Sequence, residues 1–329
     1  MKPVKRVVIT GGAGQVAYSL LLSLARGDLF GSDQPIALHL LDLPSMLKTL
    51  EGIAMELEDC AFELLKEIKV GTDAASLFSG VHYALFLGAK PRTQGMERKD
   101  LLLDNGKIFF EQGKILQEVA SKDVRVLVVG NPCNTNCLIL MRNAQDLSPR
   151  RFFSLTRLDQ NRATYQLAAR AHVNIRDVSN VTIWGNHSPT QVVDFANATI
   201  DNRPAIEMIN DRKWLENDFS LKIQKRGAEV INLRGKSSAV SAAKAIMDAM
   251  RSIIEPTKPG TWFSMGVYSK GNPYGLDENL IFSFPCRTNA KGEVEIVPGL
   301  MLDPFLKEKV DATQNELINE RAMVAHLMK

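Results

Sequence analysis

Val4-Lys5-Arg6-Val7-Val8-Ile9-Thr10-Gly11-Gly12-Ala13-Gly14-Gln15-Val16-Ala17 runs from a β-branched segment through a glycine turn into an apolar helix. Valine, isoleucine and threonine fit a pleated surface, so Val4–Thr10 predicts a strand. The apolar run Ala17–Ala25 predicts the helix that follows. Glycine suits the junction because the turn is tight and a backbone without Cβ can approach a pyrophosphate. The N–H groups left free at the helix start then face the anion. Gly12-x-Gly14-x-x-Ala17 fits the dinucleotide fingerprint with Ala17 in the third glycine slot, which makes Gly11, Gly12, Ala13, Gly14, Gln15, Val16 and Ala17 candidate cofactor contacts. Glycine turns also open many helices for steric reasons alone.

Asp42 adds an independent sign. It ends the next predicted strand, Ile36–Leu41, where a carboxylate can bind an adenosine ribose diol. Its distance from the glycines slightly exceeds the usual ~20 residues, and the loop Gly27–Pro35 takes up the excess. A carboxylate there repels a 2′-phosphate, which favours NAD over NADP. A solvated acid at a strand end is the alternative.

Outward from this unit, strands and helices alternate. A helix is expected at Leu50–Leu65, strands at Lys69–Gly71 and Tyr83–Gly88, a helix at Lys107–Lys122 and a strand at Arg125–Gly130. Alternation at this spacing implies right-handed crossovers and a parallel sheet covered on both faces. The expected class is α/β: a Rossmann doubly wound sheet in residues 1–153, then an α+β catalytic domain in 154–329. In that second half, helices are expected at Gln160–Ala171, Trp214–Arg226 and Ser238–Ile254. Strands are expected at Val178–Trp184, Trp262–Val267, Asn279–Arg287 and Glu293–Val297, the last three antiparallel. Asp303 and Pro304 start a closing helix with Leu306, Val310, Leu317 and Val324 near one face.

Bulk properties exclude several function classes. Among 329 residues, 40 basic and 37 acidic side chains leave a formal charge of +3, with no basic block to track a nucleic acid. No run reaches the ~18 apolar residues of a membrane span. Lys2, Lys5 and Arg6 precede an apolar stretch as in an export signal, but the glycine turn interrupts it, so a cytoplasmic location is expected. Cys60, Cys133, Cys137 and Cys286 form no CxxC pair and read as free thiols; no metal site is expected.

Three polar segments stand out: Ala89-Lys90-Pro91-Arg92-Thr93-Gln94-Gly95-Met96-Glu97-Arg98, Leu158-Asp159-Gln160-Asn161-Arg162 and Trp184-Gly185-Asn186-His187-Ser188. With Asn131-Pro132-Cys133-Asn134-Thr135-Asn136 and the run Asp100-Leu101-Leu102 to Gln112-Gly113-Lys114, the chain resembles the lactate/malate dehydrogenase family over essentially its whole length. Within that family it resembles the cytosolic-type malate branch. The family's turn usually reads Gly-Ala-Ala-Gly; Gly12 replaces the first Ala, a change expected to cost little.

The chemistry asks for these residue types. Oxidising a 2-hydroxy acid needs a base for the hydroxyl proton as hydride leaves the carbon, and His187 suits it. Asp159 can hold the tautomer and stabilise the imidazolium. His39, His82, His172 and His326 read as structural. Arg162, three residues past Asp159, shares its helix face. A guanidinium binds a carboxylate through two parallel hydrogen bonds. The resemblance implies that Arg162 holds the C1 carboxylate, Arg98 polarises the C2 carbonyl and Arg92 meets a second carboxylate. It also implies that Asn131 touches substrate and cofactor, that Asn105, Gln112, Val129 and Gly130 lie along NAD, and that the protein is a homodimer. Ser241 receives no role.

Arg92 bears on substrate class. An uncharged residue there suits pyruvate, whereas a second arginine needs a second anion once the loop around Gly95 closes, which points to malate and oxaloacetate. A lactate-type or other 2-hydroxy-acid dehydrogenase, an NADP enzyme and a non-catalytic dinucleotide-binding protein remain the alternatives.

Overall fold

Lys5–Thr10 forms β1 and Gln15–Ala25 forms α1, with the glycine turn between them. The chain continues through β2 (Ile36–Leu41), α2 (Leu47–Asp59), β3 (Leu65–Gly71), α3 (Ala74–Phe78) and β4 (Tyr83–Phe86). Then come α4 (Arg98–Val119), β5 (Arg125–Val128), α5 (Cys133–Arg142) and β6 (Phe152–Ser154). The structure, a computed structural model, describes residues 2–90 and 98–328, without the Arg98 side chain.

These six strands are parallel neighbours in the order β3-β2-β1-β4-β5-β6. Every residue of β2 and β4 is buried, as expected of parallel strands covered on both faces. Leu20, Leu24, Leu50 and Leu57 cover one face, and Phe78, Phe109, Leu116 and Leu140 the other. The doubly wound sheet is the predicted one.

The second half opens with α6 (Arg157–Ala171), followed by the short strands β7 (Val178–Ser179), β8 (Thr182–Trp184), β9 (Val192–Asp194), β10 (Thr199–Ile200) and β11 (Arg203–Pro204). Helices α7 (Ala205–Ile209) and α8 (Arg212–Trp214) lead through a π-helical turn at Leu215–Phe219 into α9 (Ser220–Arg234) and α10 (Val240–Ile254). The antiparallel strands β12 (Phe263–Tyr268), β13 (Ile281–Thr288) and β14 (Val294–Ile296) precede α11 (Pro304–Met323). They extend the same sheet beyond β6, giving nine strands among the described residues. The two halves therefore share a sheet, and α10 packs on α1.

Several predicted boundaries move for identifiable reasons. The helix expected to reach Leu65 stops at Asp59, because Ala61 adopts φ 49° and Leu65 pairs with Ile36 on the neighbouring strand. Helix α4 begins at Arg98, well before the predicted Lys107. The strand expected over Val178–Trp184 breaks at Asn180, φ 62°, so that β7 and β8 join different sheets. The helix from Trp214 runs on to Arg234, where Gly235 ends it. Helix α5 has no sequence-based counterpart. It is buried from Cys133 to Met141, so it lacks the polar stripe that makes a helix legible. The closing helix forms as predicted, with an Asp303 carboxylate oxygen accepting from the Leu306 N–H at 2.9 Å.

Candidate active site

The strand order reverses between β1 and β4, and open α/β sheets bind ligands in the crevice at such a point. Gly11 adopts φ +68°, and a Cβ there would stand 2.8 Å from the Gly88 backbone at the end of β4. The two strand ends approach so closely that they leave a side-chain-free cradle beside α1. Gly14 caps α1 without a side chain, so the first N–H groups of the helix are available to an anion. Asp42 lies against this turn: its carboxylate accepts from the Ala13 N–H at 2.9 Å and the Leu43 N–H at 2.8 Å. These residues fit a dinucleotide, with backbone donors for the pyrophosphate and a half-buried carboxylate beside them.

Gly12 is buried, and the side on which a Cβ would stand faces β2 and α2. A Cβ there would come 2.9 Å from Leu40 Cβ and 3.1 Å from Leu50 Cδ2, so the glycine is sterically required in this chain. Gly12→Ala is therefore expected to destabilise the protein by about 1–3 kcal/mol, the usual cost of overpacking, measured by the denaturation midpoint in urea. An unchanged midpoint would show that β2 and α2 yield freely.

The end of β5 carries the next predicted contacts. Val129 and Gly130 donate their N–H groups to the Phe86 carbonyl at 2.9 and 3.0 Å, which places them beside the end of β4. Asn131 is exposed. Asn105 is fully buried: it accepts from the Lys90 N–H at 2.7 Å and donates to the carbonyls of Lys90 and Asn131, each at 3.2 Å. Its side chain ties two loops bordering the crevice together. Gln112 sits on α4 with its side-chain oxygen shielded and unpartnered among the described residues. Arg92 lies outside the described residues; the Arg98 backbone opens α4, and its side chain is likewise outside them.

The Asp159–His187 pair is assembled across elements. Asp159, in the first turn of α6, is fully buried, and its Oδ2 stands 2.5 Å from His187 Nδ1. Arg162 Nη1 meets the other oxygen, Oδ1, at 2.7 Å. Burial alone would raise the Asp159 carboxyl pKa; the charges of His187 and Arg162 and a hydrogen bond from Gln191 overcome it and hold the value below the ordinary carboxylate range. Burial would likewise lower the His187 imidazole. The Asp159 carboxylate outweighs burial and the opposing Arg162 charge, and holds His187 above the ordinary histidine value. With Nδ1 committed to Asp159, Nε2 is left for proton transfer, and the side chain keeps 23% exposure. Arg162 keeps 15%. The remaining described histidines differ: His39 is buried against the Leu77 carbonyl, His82 accepts the Arg6 N–H, His172 ends α6 in the left-handed conformation, and His326 is exposed in the short turn Ala325–Leu327 after α11.

Asn134, quoted above only as part of a motif, links the two halves. Its oxygen accepts the His187 N–H at 3.0 Å while its amide donates to the carbonyls of Gly185 and Ile281 at 3.3 and 3.0 Å. Asn131 at the crevice and Asn134, which holds the His187 backbone, are thus three residues apart in the chain. The signal was available as a second asparagine in Asn131-Pro132-Cys133-Asn134, but its partners are remote in sequence. Gln191, the further group at Asp159, had no signal.

A dinucleotide crevice joined to a buried carboxylate–imidazole pair and an arginine is the architecture of a dinucleotide-dependent dehydrogenase. The chain belongs to the lactate/malate dehydrogenase family: that family's NAD binding domain matches residues 5–154 and its alpha/beta C-terminal domain residues 156–328. It is 55% identical over 328 residues to the malate dehydrogenase of Protochlamydia amoebophila (strain UWE25), covering 100% of this chain and 99% of that one. It is 52% identical over 326 residues to the chloroplastic NADP malate dehydrogenase 1 of Sorghum bicolor, covering 99% of this chain and 76% of the plant chain. The solved malate dehydrogenase of Naegleria fowleri ATCC 30863 superposes with a TM-score of 0.96 at 40% identity, covering 100% of both chains.

Proposed function

We propose that the protein is an NAD-dependent malate dehydrogenase, with residues 1–153 holding the dinucleotide and residues 154–329 supplying the acid–base group. The observation that carries this reading is the row His187–Asp159–Arg162, with contacts of 2.5 and 2.7 Å on one buried carboxylate. In malate oxidation, His187 Nε2 takes the C2 hydroxyl proton, Asp159 stabilises the imidazolium formed, and Arg162 orients the C1 carboxylate. Reduction of oxaloacetate returns the proton from the same nitrogen. When bound, a nicotinamide dinucleotide would accept the hydride from C2 of malate or supply it to C2 of oxaloacetate. Gly11, Gly14 and the first turn of α1 hold the pyrophosphate, and Asp42 the ribose. Arg92 and Arg98 meet the second carboxylate and the C2 oxygen by family resemblance, which also supports a cytoplasmic homodimer. Light scattering at twice the monomer mass is the expected result.

The test is absorbance at the reduced-nicotinamide band with NADH or NADPH and oxaloacetate, pyruvate or no substrate. Rapid oxidation of NADH with oxaloacetate alone is expected; preference for pyruvate would reject the malate assignment. The plant NADP relatives keep a second cofactor reading open for the same fold. Asp42 favours NAD, since its charge opposes a 2′-phosphate. Asp42→Ser is accordingly expected to raise the NADPH-to-NADH efficiency ratio by roughly 10-fold or more, as loss of a charge repulsion of a kilocalorie or two implies. An unmoved ratio would place Asp42 away from the ribose.

A further inference from the structure

One face of α11 carries Thr313, Glu316 and Glu320, at the i, i+3 and i+7 spacing that aligns side chains along a helix. All three engage the segment that bears His187. The Thr313 hydroxyl accepts the Asn186 N–H at 3.0 Å and can donate its own hydrogen to the Thr190 hydroxyl, 2.9 Å away. The Asn186 amide donates to Glu316 at 2.9 Å and to Glu320 at 3.0 Å. Ser188 and Thr190 donate to Glu316 at 2.5 and 2.6 Å. Glu320 also accepts from Thr135, the neighbour of Asn134, whose oxygen takes the His187 N–H.

Packing reinforces these bonds. Gly185 adopts φ +91°, and a Cβ there would lie 2.1 Å from Thr313 Cγ2, so the backbone presses directly on the threonine methyl. Gly185 is also bridged to Ser283 on β13 in both directions, at 3.1 and 3.0 Å. The residues flanking His187 are therefore fastened to α11 and β13, while the imidazole points to Asp159 on α6. Thr313 itself is fully buried.

We infer that Thr313, backed by Glu316 and Glu320, is a positioning residue: it sets the height of the Gly185–Ser188 backbone and thereby where His187 presents Nε2. This rests on the acid–base reading of His187 proposed above. Thr313 touches neither substrate nor cofactor in this scheme, so its influence passes through the Asn186 backbone. A misplacement of about 1 Å by a change away from the chemistry can cost roughly 10²-fold in rate.

Thr313→Val keeps the shape but offers Asn186 N–H no acceptor; Thr313→Ser keeps the hydroxyl and loses the methyl. We expect Thr313→Val to lower kcat by about 10- to 100-fold while the KM for oxaloacetate moves less than about threefold, because Arg162 is carried by α6 and paired there with Asp159. NADH affinity by fluorescence titration and the far-UV circular dichroism spectrum should match wild type. Thr313→Ser should recover most of kcat. A folded Thr313→Val enzyme with wild-type kcat, or a serine variant as impaired as the valine one, would overturn the inference. Should Thr313→Val not fold, Thr135→Val is read by the same kcat criterion, since it cuts the strut on the far side of Glu320. His187→Asn run alongside separates the two failures: turnover surviving there rejects the acid–base reading, whereas its loss beside an unaffected Thr313→Val rejects only the positioning role.

Discussion

His187→Asn is expected to reduce kcat for oxaloacetate reduction by roughly 10²–10⁴-fold, the range for losing one well-placed acid–base group, with NADH binding intact. The asparagine amide fills part of the same space and can hydrogen-bond, but it does not exchange a proton near neutral pH. His187 lies on the segment after β8 with its imidazole on Asp159 of α6, whereas the glycine cradle is built by Gly11, Gly14 and α1, so the two proposed functions separate cleanly. Asp159→Asn should also be severe. It removes the charge that holds the imidazole above its ordinary pKa, and leaves an amide between His187 and Arg162 where both required a carboxylate. Stopped-flow measurement of NADH oxidation, with cofactor affinity measured separately, checks both variants. Turnover of His187→Asn near the wild-type rate would remove the proposed mechanism.

The second large effect is on substrate orientation. Arg162→Gln is expected to lower the efficiency for oxaloacetate and pyruvate alike, since both carry the C1 carboxylate. Truncating one member of a largely desolvated charge pair typically costs ~2–5 kcal/mol, or about thirty- to several-thousand-fold. Arg162→Lys should recover little of it, because an ammonium lacks the planar fork that matches a carboxylate. Arg92→Gln should instead depress oxaloacetate and spare pyruvate, which has no second carboxylate. The measured quantity is the oxaloacetate-to-pyruvate ratio of kcat/KM for wild type and each variant. Equal losses on both substrates in Arg92→Gln would make that arginine a general closure residue and weaken the choice of malate. A selective loss in Arg162→Gln would mean that it binds the distal carboxylate.

The nucleotide half is largely legible in the sequence. Its signals are local: a β-branched strand, a glycine turn, an apolar helix and a strand-ending acid lie within the first 42 residues. Boundaries failed where tertiary contacts override local preference. Leu65 falls at the end of the helix expected from Leu50, yet pairing with β2 starts the strand there, ahead of the expected Lys69. The completely buried α5 shows no amphipathic period, so pattern reading passes over it.

The residues proposed for catalysis divide in the same way. Asp159 and Arg162 share a helical turn, and His187 follows a strand, so residue type and spacing were enough to nominate them. That His187 stands on Asp159 is a tertiary result, because α6 and the loop after β8 meet only once β12 and β13 extend the sheet. The sequence by itself determined the doubly wound class, the glycine cradle with Asp42, and the chemical types available for catalysis, because each is encoded within a single element or turn. Only the tertiary structure decided the links that run between distant elements. Examples are Asn134 on the His187 backbone, Asn105 on two loop ends, and the Thr313–Glu316–Glu320 face behind the catalytic segment. Their hydrogen bonds join residues far apart in the chain, and no local periodicity records which buried donor will find which acceptor.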